Sequence, residues 1–448
     1  MPCLAELGRL TQLSVLVVKD VVPGPASYLP KSLRKLTLEC EEGLENYKIE
    51  RAVVQAWLSC HIRPSLQQLH LKGMVWWEKY SERLDFTRLS KLKELHFVPS
   101  LLGGGSKWEL YQIPSSLTQL SNLEVLQVAS TETRYPFNGR LPHFTLSSRG
   151  PRTQFLSSCT RLRSLGYVCL DPTGPYHGHV SFNGHLPHLS SLQLKVNARM
   201  PEMINPSCFP SLQHLVVECE CVTPSMVQCL AQMTALTCLQ LSSGAGFYRS
   251  MCGSMGGWCG LEPLGHSLLL LQRLELVSYF GSKDYVSDIG IAANYKELVV
   301  PNLSAFTQLK QLQLACALVK HPAFQPNSAA FLARLSQLTQ LEQVEVIGYN
   351  SITPELLTGL VSCLPRLRAL MVGLCRHPDV MGGKGQQAGG LGEGAGGLNG
   401  EDELLPVHQG FAQASKACEG LRPGLRVQVG YNLQWRPGVR CGGTTTGD

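Results

Sequence analysis

The sequence predicts an α/β solenoid. It should form a curved horseshoe coil, with a parallel β-sheet on the concave face and helices and irregular loops on the convex face. Three observations predict it. First, a short apolar phrase recurs thirteen times, from "LTQLSVLVV" beginning at residue 10 to "LPRLRALMV" ending at residue 372. Second, each copy mixes two periods. In "LSQLTQLEQVEV" the apolar residues are Leu335, Leu338, Leu341, Val344 and Val346; steps of three suit a helical bend, and the final step of two suits a strand. Third, the copies lie 20 to 39 residues apart and average 29.5, the period of stacked repeats.

Bulk composition bounds the function. A 448-residue chain would by length hold about three domains, an estimate that an internal repeat overrides. Hydrophobic content of 44% with 16% charged residues supports a large core. A formal charge of +6 is mild for this length and points neither to nucleic acid nor to an anionic membrane. The 17 cysteines form no CxxC pair and read as reduced, mostly buried thiols of an intracellular protein. Met1 is followed by no signal-peptide pattern, and "SLLLLQRLEL" is too short to cross a bilayer. The expectation is a soluble cytoplasmic protein, with the nucleus or the cytoskeleton and ciliary axoneme as alternatives.

Within each copy the central strand residue is Leu16, Leu36, Leu69, Leu95, Leu126, Leu165, Leu192, Leu215, Leu239, Leu274, Leu312, Val344 or Leu370. It and the apolar residue two places on point inward from a short strand. The earlier apolar residues sit at the bend and fill the same layer. No copy can bury its apolar side alone, so copies stack. Thirteen strands at about 4.8 Å each would line an inner wall on the order of 60 Å long.

Helices are expected on the outer side. In 352–372, Thr353 is placed as N-cap and Pro354 as N1, ahead of apolar residues at helical spacing. Residues 222–241 repeat that design, and further helices are expected over 49–60 and 328–338. The solenoid spans 1–376. A Gly-rich linker follows at 377–403, with ten glycines between 381 and 400. A closing helix and strand are expected over 404–435, and a disordered tail over 436–448. Only about nine residues precede the first copy, few for a polar cap, which suggests a fragment or an edge covered by a partner. Wide spacings mark loops at 129–158, with Arg134, Arg140, Arg149 and Arg152, and at 242–261.

The recurring phrase resembles the LxxLxLxx(N/C)xL signature of the leucine-rich repeat family over about residues 4 to 376. Within it, the units look like the cysteine-containing subclass found in F-box substrate adaptors and intracellular scaffolds. The chain departs from that pattern in one respect: the Asn or Cys after the strand survives only as Asn197 and Cys375, so most of the family's inner hydrogen-bonded ladder should be missing. The resemblance implies a non-catalytic protein-interaction scaffold. Two specific versions are a ubiquitin-ligase substrate-recognition subunit whose F-box is not in this chain, and a cytoskeletal or axonemal structural protein.

In that architecture, residues between the inward leucines face out from the wall. They include His70, His96, Gln127, Gln193, Gln240, Glu275, Gln313, Gln343 and Glu345, which suit many hydrogen bonds to a protein partner. Outward charges are Lys19, Lys72, Lys195 and Arg273 against Glu39, Glu94, Glu218, Glu275 and Glu345. That balance makes no basic stripe for nucleic acid. Phe247, Tyr248 and Trp258 in the 242–261 loop offer a second, apolar binding element.

Chemistry leaves weaker signals. His177, His179, His185 and His188 in "PYHGHVSFNGHLPHL" are dense enough for Zn²⁺ if the loop folds back, giving a metal-binding or catalytic alternative. No cysteine or carboxylate completes a familiar spacing there, and surface histidines are the plainer reading. Cys219 and Cys221 read as structural thiols. Gly392, Gly394 and Gly397 match a dinucleotide pattern inside low-complexity sequence, without the strand and helix that pattern requires. No nucleophile–base constellation is recognisable. The expectation is no enzyme, no cofactor, no metal, no small-molecule substrate, no membrane and no nucleic acid.

Overall fold

The computed structural model describes residues 11–19, 30, 32–39, 65–74, 86–99, 111–112, 117, 119–128, 144–145, 158–170, 185–196, 204–219, 222–243, 260–278, 302–316, 328–347, 353–374 and 405–431. Contacts divide the chain into two units, one of residues 1–219, 228–236 and 436–448, the other of residues 220–227 and 237–435. Each is an open run of parallel strands, and every copy of the phrase supplies one of them.

In the first unit the strands are β1 (Val15–Lys19), β2 (Lys35–Glu39), β3 (Gln68–Met74), β4 (Glu94–Pro99), β5 (Tyr111–Gln112), β6 (Val125–Val128), β7 (Phe144–Thr145), β8 (Ser164–Leu170), β9 (Ser191–Val196) and β10 (His214–Cys219). Their order is β1-β2-β3-β4-β6-β8-β9-β10. The second unit carries β11 (Cys238–Ser243), β12 (Arg273–Ser278), β13 (Gln311–Cys316), β14 (Gln343–Ile347), β15 (Ala369–Leu374) and β16 (Arg426–Tyr431), paired in chain order.

Every central leucine of the phrase lies on a strand, and the register aligns them. Leu16, Leu36, Leu69, Leu95 and Leu126 pair in sequence. The series continues through Leu165, Leu192 and Leu215. In the second unit Leu239, Leu274, Leu312, Val344, Leu370 and Val427 do the same. Apart from half-buried Leu16 and Val427 on the end strands, these residues are at most 2% exposed. Each Leu buried this way contributes roughly 1.5–3 kcal/mol by removal from water.

The three-residue step now has a structural cause. Leu338 N–H donates to the carbonyl of Leu335 at 2.9 Å, and Leu341 N–H to that of Leu338 at 3.0 Å. Consecutive tight turns therefore drop three leucines onto the core before the strand begins. Equivalent bonds join Leu92 to Leu89, Leu123 to Leu120 and Leu309 to Phe306. Copies are then stitched by a shared acceptor. Arg34 and Lys35 amides both donate to Ser14 O, Glu342 and Gln343 amides both to Lys310 O.

Asn197 and Cys375 lie outside the described residues, but a polar ladder exists elsewhere. It stands just before the strand rather than after it. Ser32 Oγ donates to Leu13 O at 2.7 Å, Ser65 Oγ to Leu33 O at 3.2 Å, Asn122 Nδ2 to Ser90 O at 2.8 Å, and Ser190 Oγ to Arg163 O at 3.1 Å. Each side chain satisfies a carbonyl of the preceding copy.

Among the described residues the α-helices are α1 (Pro224–Ala231), α2 (Glu262–Ser267), α3 (Ser328–Leu335), α4 (Pro354–Cys363) and α5 (Leu405–Leu421). The expected caps form. Thr353 Oγ1 accepts from Leu356 N at 3.3 Å, and Thr223 Oγ1 from Met226 N at 3.2 Å. α3 starts where expected and stops at Leu335, because the chain then enters its tight turns. The 49–60 helix, the Gly-rich 381–400 stretch and the 436–448 tail lie outside the described residues.

One short strand lies inside a segment expected to be a loop. Within 129–158, Phe144–Thr145 is a strand that pairs with β5 and β8. β6 pairs with β8 only at Ser164 and Leu165, and β7 takes up the same edge at Val168 and Cys169. α2 is also unanticipated. Its buried Gly265 faces the next copy so closely that an added Cβ would stand 2.6 Å from Ala305 Cβ, so this contact requires glycine.

Candidate functional site

The strands turn alternate residues outward, and the register stacks those residues into columns. In the first unit Thr37, His70, His96 and Gln127 stand side by side on β2, β3, β4 and β6. His70, His96, Gln127 and Gln193 are half-buried and Thr37 is buried. Val15 and Val17 on the end strand are each 50% exposed. Gly166 lies between two of the glutamines. A Cβ there would meet Gln127 Cγ at 3.0 Å and Gln193 Oε1 at 3.5 Å, so the missing side chain leaves room for both glutamines. Gln193 Oε1 is itself buried and accepts no hydrogen bond, which leaves an acceptor needing a donor.

The second unit's column reads Gln240, Glu275, Gln313, Glu345, Met371 and Gln428. Exposure changes along it. Gln240, Glu275 and Gln313 are only 8%, 5% and 9% exposed, Glu345 and Met371 are half-buried, and Gln428 is exposed. Burial at one end was not legible in the phrase. Within the buried end, Gln240 Nε2 donates to Ser242 Oγ at 3.4 Å, and Arg273 Nε donates to Glu275 Oε1 at 2.6 Å. Gln343, in the adjacent column, is half-buried. Gln343, Glu345, Met371 and Gln428 are thus among the side chains of this unit that present surface.

Two charge pairs on the wall are internal to it. Lys19 meets Glu39 at 3.5 Å, and Arg273 meets Glu275 at 2.5 Å. Neither supplies a spare positive charge for phosphate.

Burial pushes the Glu275 carboxyl above its usual range, and Arg273 pulls partly against it. Glu345 is raised by burial first and then by the neighbouring charge of Glu275, with Arg273 again opposing. A folded-state pKa above the unfolded one means that protonation favours the fold at low pH. The carboxylate's contribution turns unfavourable as pH climbs through the raised range. Glu345→Gln cannot titrate. It is expected to be more stable than the parent at about pH 8 and equal to it at about pH 4, as read from urea midpoints; a gap that does not depend on pH would contradict the assignment.

Seven cysteines have described side chains, and Cys159, Cys208, Cys219, Cys229 and Cys418 are buried thiols. Burial raises the thiols of Cys159, Cys229 and Cys238 to about 11, which makes them poor nucleophiles. Cys159 Sγ instead donates to Leu120 O at 3.8 Å.

His185 and His188 are exposed. His177, His179, Cys221, Phe247, Tyr248, Trp258 and the 392–397 glycines lie outside the described residues. No helix among the described residues is long and apolar enough to cross a membrane. No protein-family model matches the chain, and no curated protein matches it significantly.

Proposed function

We propose that the chain is an intracellular leucine-rich repeat protein acting as a non-catalytic scaffold, which holds a partner protein against the outward face of its strands. The observation that carries the reading is the register. It places Thr37, His70, His96 and Gln127 in one straight column and Gln240, Glu275, Gln313 and Glu345 in another, at the spacing of the sheet. Such an array makes many hydrogen bonds across a broad surface, as protein interfaces do. The unmet acceptor on Gln193 and the exposed Val15 and Val17 supply a polar and an apolar contact on the same face. The buried thiols fit a reducing compartment.

Affinity capture from cells with quantitative mass spectrometry tests it. Gln343→Ala/Glu345→Ala and Gln127→Ala/Gln193→Ala should each lose a shared set of proteins that the parent retains. Lys416→Ala/Glu419→Ala, on exposed positions of α5, should keep that set. If both wall variants retain every partner and the α5 variant loses them, the interface lies on the helical side.

A further inference from the structure

The first unit's column contains a second kind of chemistry. His70 is central to β3, and its register partner on β4 is His96. Glu94 lies two residues before His96, hence on the same face of the sheet. The imidazole centroids are 4.2 Å apart with planes inclined at 47°, and His96 Nε2 is 3.9 Å from Glu94 Oε2. One ligand atom from each of the three side chains lies within 4.8 Å of the others. All three are half-buried.

We propose that His70, His96 and Glu94 form a binding site for a divalent transition-metal ion of the zinc type. Two imidazole nitrogens with one carboxylate oxygen suit zinc and its late first-row neighbours better than Mg²⁺ or Ca²⁺, which prefer oxygen alone. With bonds of about 2.0–2.1 Å, tetrahedral ligand atoms stand roughly 3.3 Å apart. The three ligand atoms, within 4.8 Å of one another, would draw together on binding the ion. The base is rigid, because Leu69, Leu71 and Leu95 beside the histidines are 0% exposed, and strands hold ligands more firmly than loops do. Three protein ligands leave a fourth position for water or for a donor from a bound protein. The site was invisible to motif reading because His70 and His96 stand 26 residues apart in the chain and meet only through the strand register.

Equilibrium dialysis of the full chain against Zn²⁺ alone, with metal quantified per chain, tests the site. The parent should bind a saturable equivalent, and Zn²⁺ should raise its melting temperature. His70→Gln/His96→Gln should lose that equivalent and the thermal shift. Glu94→Gln, which leaves both imidazoles in place, should weaken binding at least about tenfold, since even second-layer changes at metal sites have effects of that size. His177→Ala/His179→Ala should retain the equivalent. The proposal is overturned if the parent takes up no saturable equivalent, or if the Glu94→Gln and His70→Gln/His96→Gln chains bind as the parent does.

Discussion

Leu274→Ala is expected to lower the unfolding free energy by about 3–5 kcal/mol. Leu274 is fully buried, and its register neighbours Leu239 and Leu312 come from the copies on either side. Truncation removes its own transfer energy and leaves a cavity that two flanking copies must share. Relaxation there is limited, because the strands on both sides are fixed by backbone pairing. In a stacked coil each copy is stabilised through its neighbours, so the damage should appear as faster amide exchange across β11, β12 and β13 together. Leu270→Ala provides the contrast. Leu270 is 56% exposed in the turn just before the same strand, and its loss should change stability by less than about 0.5 kcal/mol. Equal urea midpoints for the two variants would mean that Leu274 does not sit in a shared core.

Arg422→Ala should be the costliest polar change, at about 2–3 kcal/mol. The guanidinium reaches from the end of α5 to the preceding copy. There it donates to Val361 O at 2.7 Å, to Leu367 O at 3.2 Å and to Leu364 O. Those carbonyls belong to the C-terminal end of α4 and the turn after it, where helix geometry leaves acceptors unpaired. The same end carries the negative pole of the helix dipole, which a cation complements. Removing Arg422 leaves partly buried carbonyls without their charged donor and loosens the join between two copies. Arg422→Lys keeps the charge but not the planar fork and should recover only part of the loss. The expected readout is earlier urea unfolding and faster exchange over 405–431, with β12 and β13 unchanged. Exchange that accelerates uniformly along the chain would contradict a local clamp.

Much of this fold can be seen in the residues themselves, and the reason is repetition. Leu335, Leu338 and Leu341 read as a bend, and Val344 and Val346 as a strand, because turn and strand periods differ. Within each unit the structure then pairs the central leucines of successive copies. Thr353 and Thr223 announce their caps because capping is local. What escaped the sequence depends on distance between copies. Gly265 needs Ala305 opposite it, and Arg422 needs the end of α4. The low exposure of Gln240, Glu275 and Gln313 is likewise set by surroundings rather than by the phrase around them. The outward positions were identifiable by alternation, but which of them offer surface was not. Gln343 and Glu345 do, and the intervening leucines, despite their prominence in the sequence, serve the core.

In-cell photo-crosslinking tests the scaffold reading most directly. A benzophenone side chain would replace Gln343 or Gln127 on the strand face, or Lys416 on α5. The account predicts discrete protein adducts from Gln343 and Gln127, shared in identity and competed by excess untagged parent chain, with none of them formed from Lys416. Adducts confined to Lys416, with both strand positions silent, would contradict it.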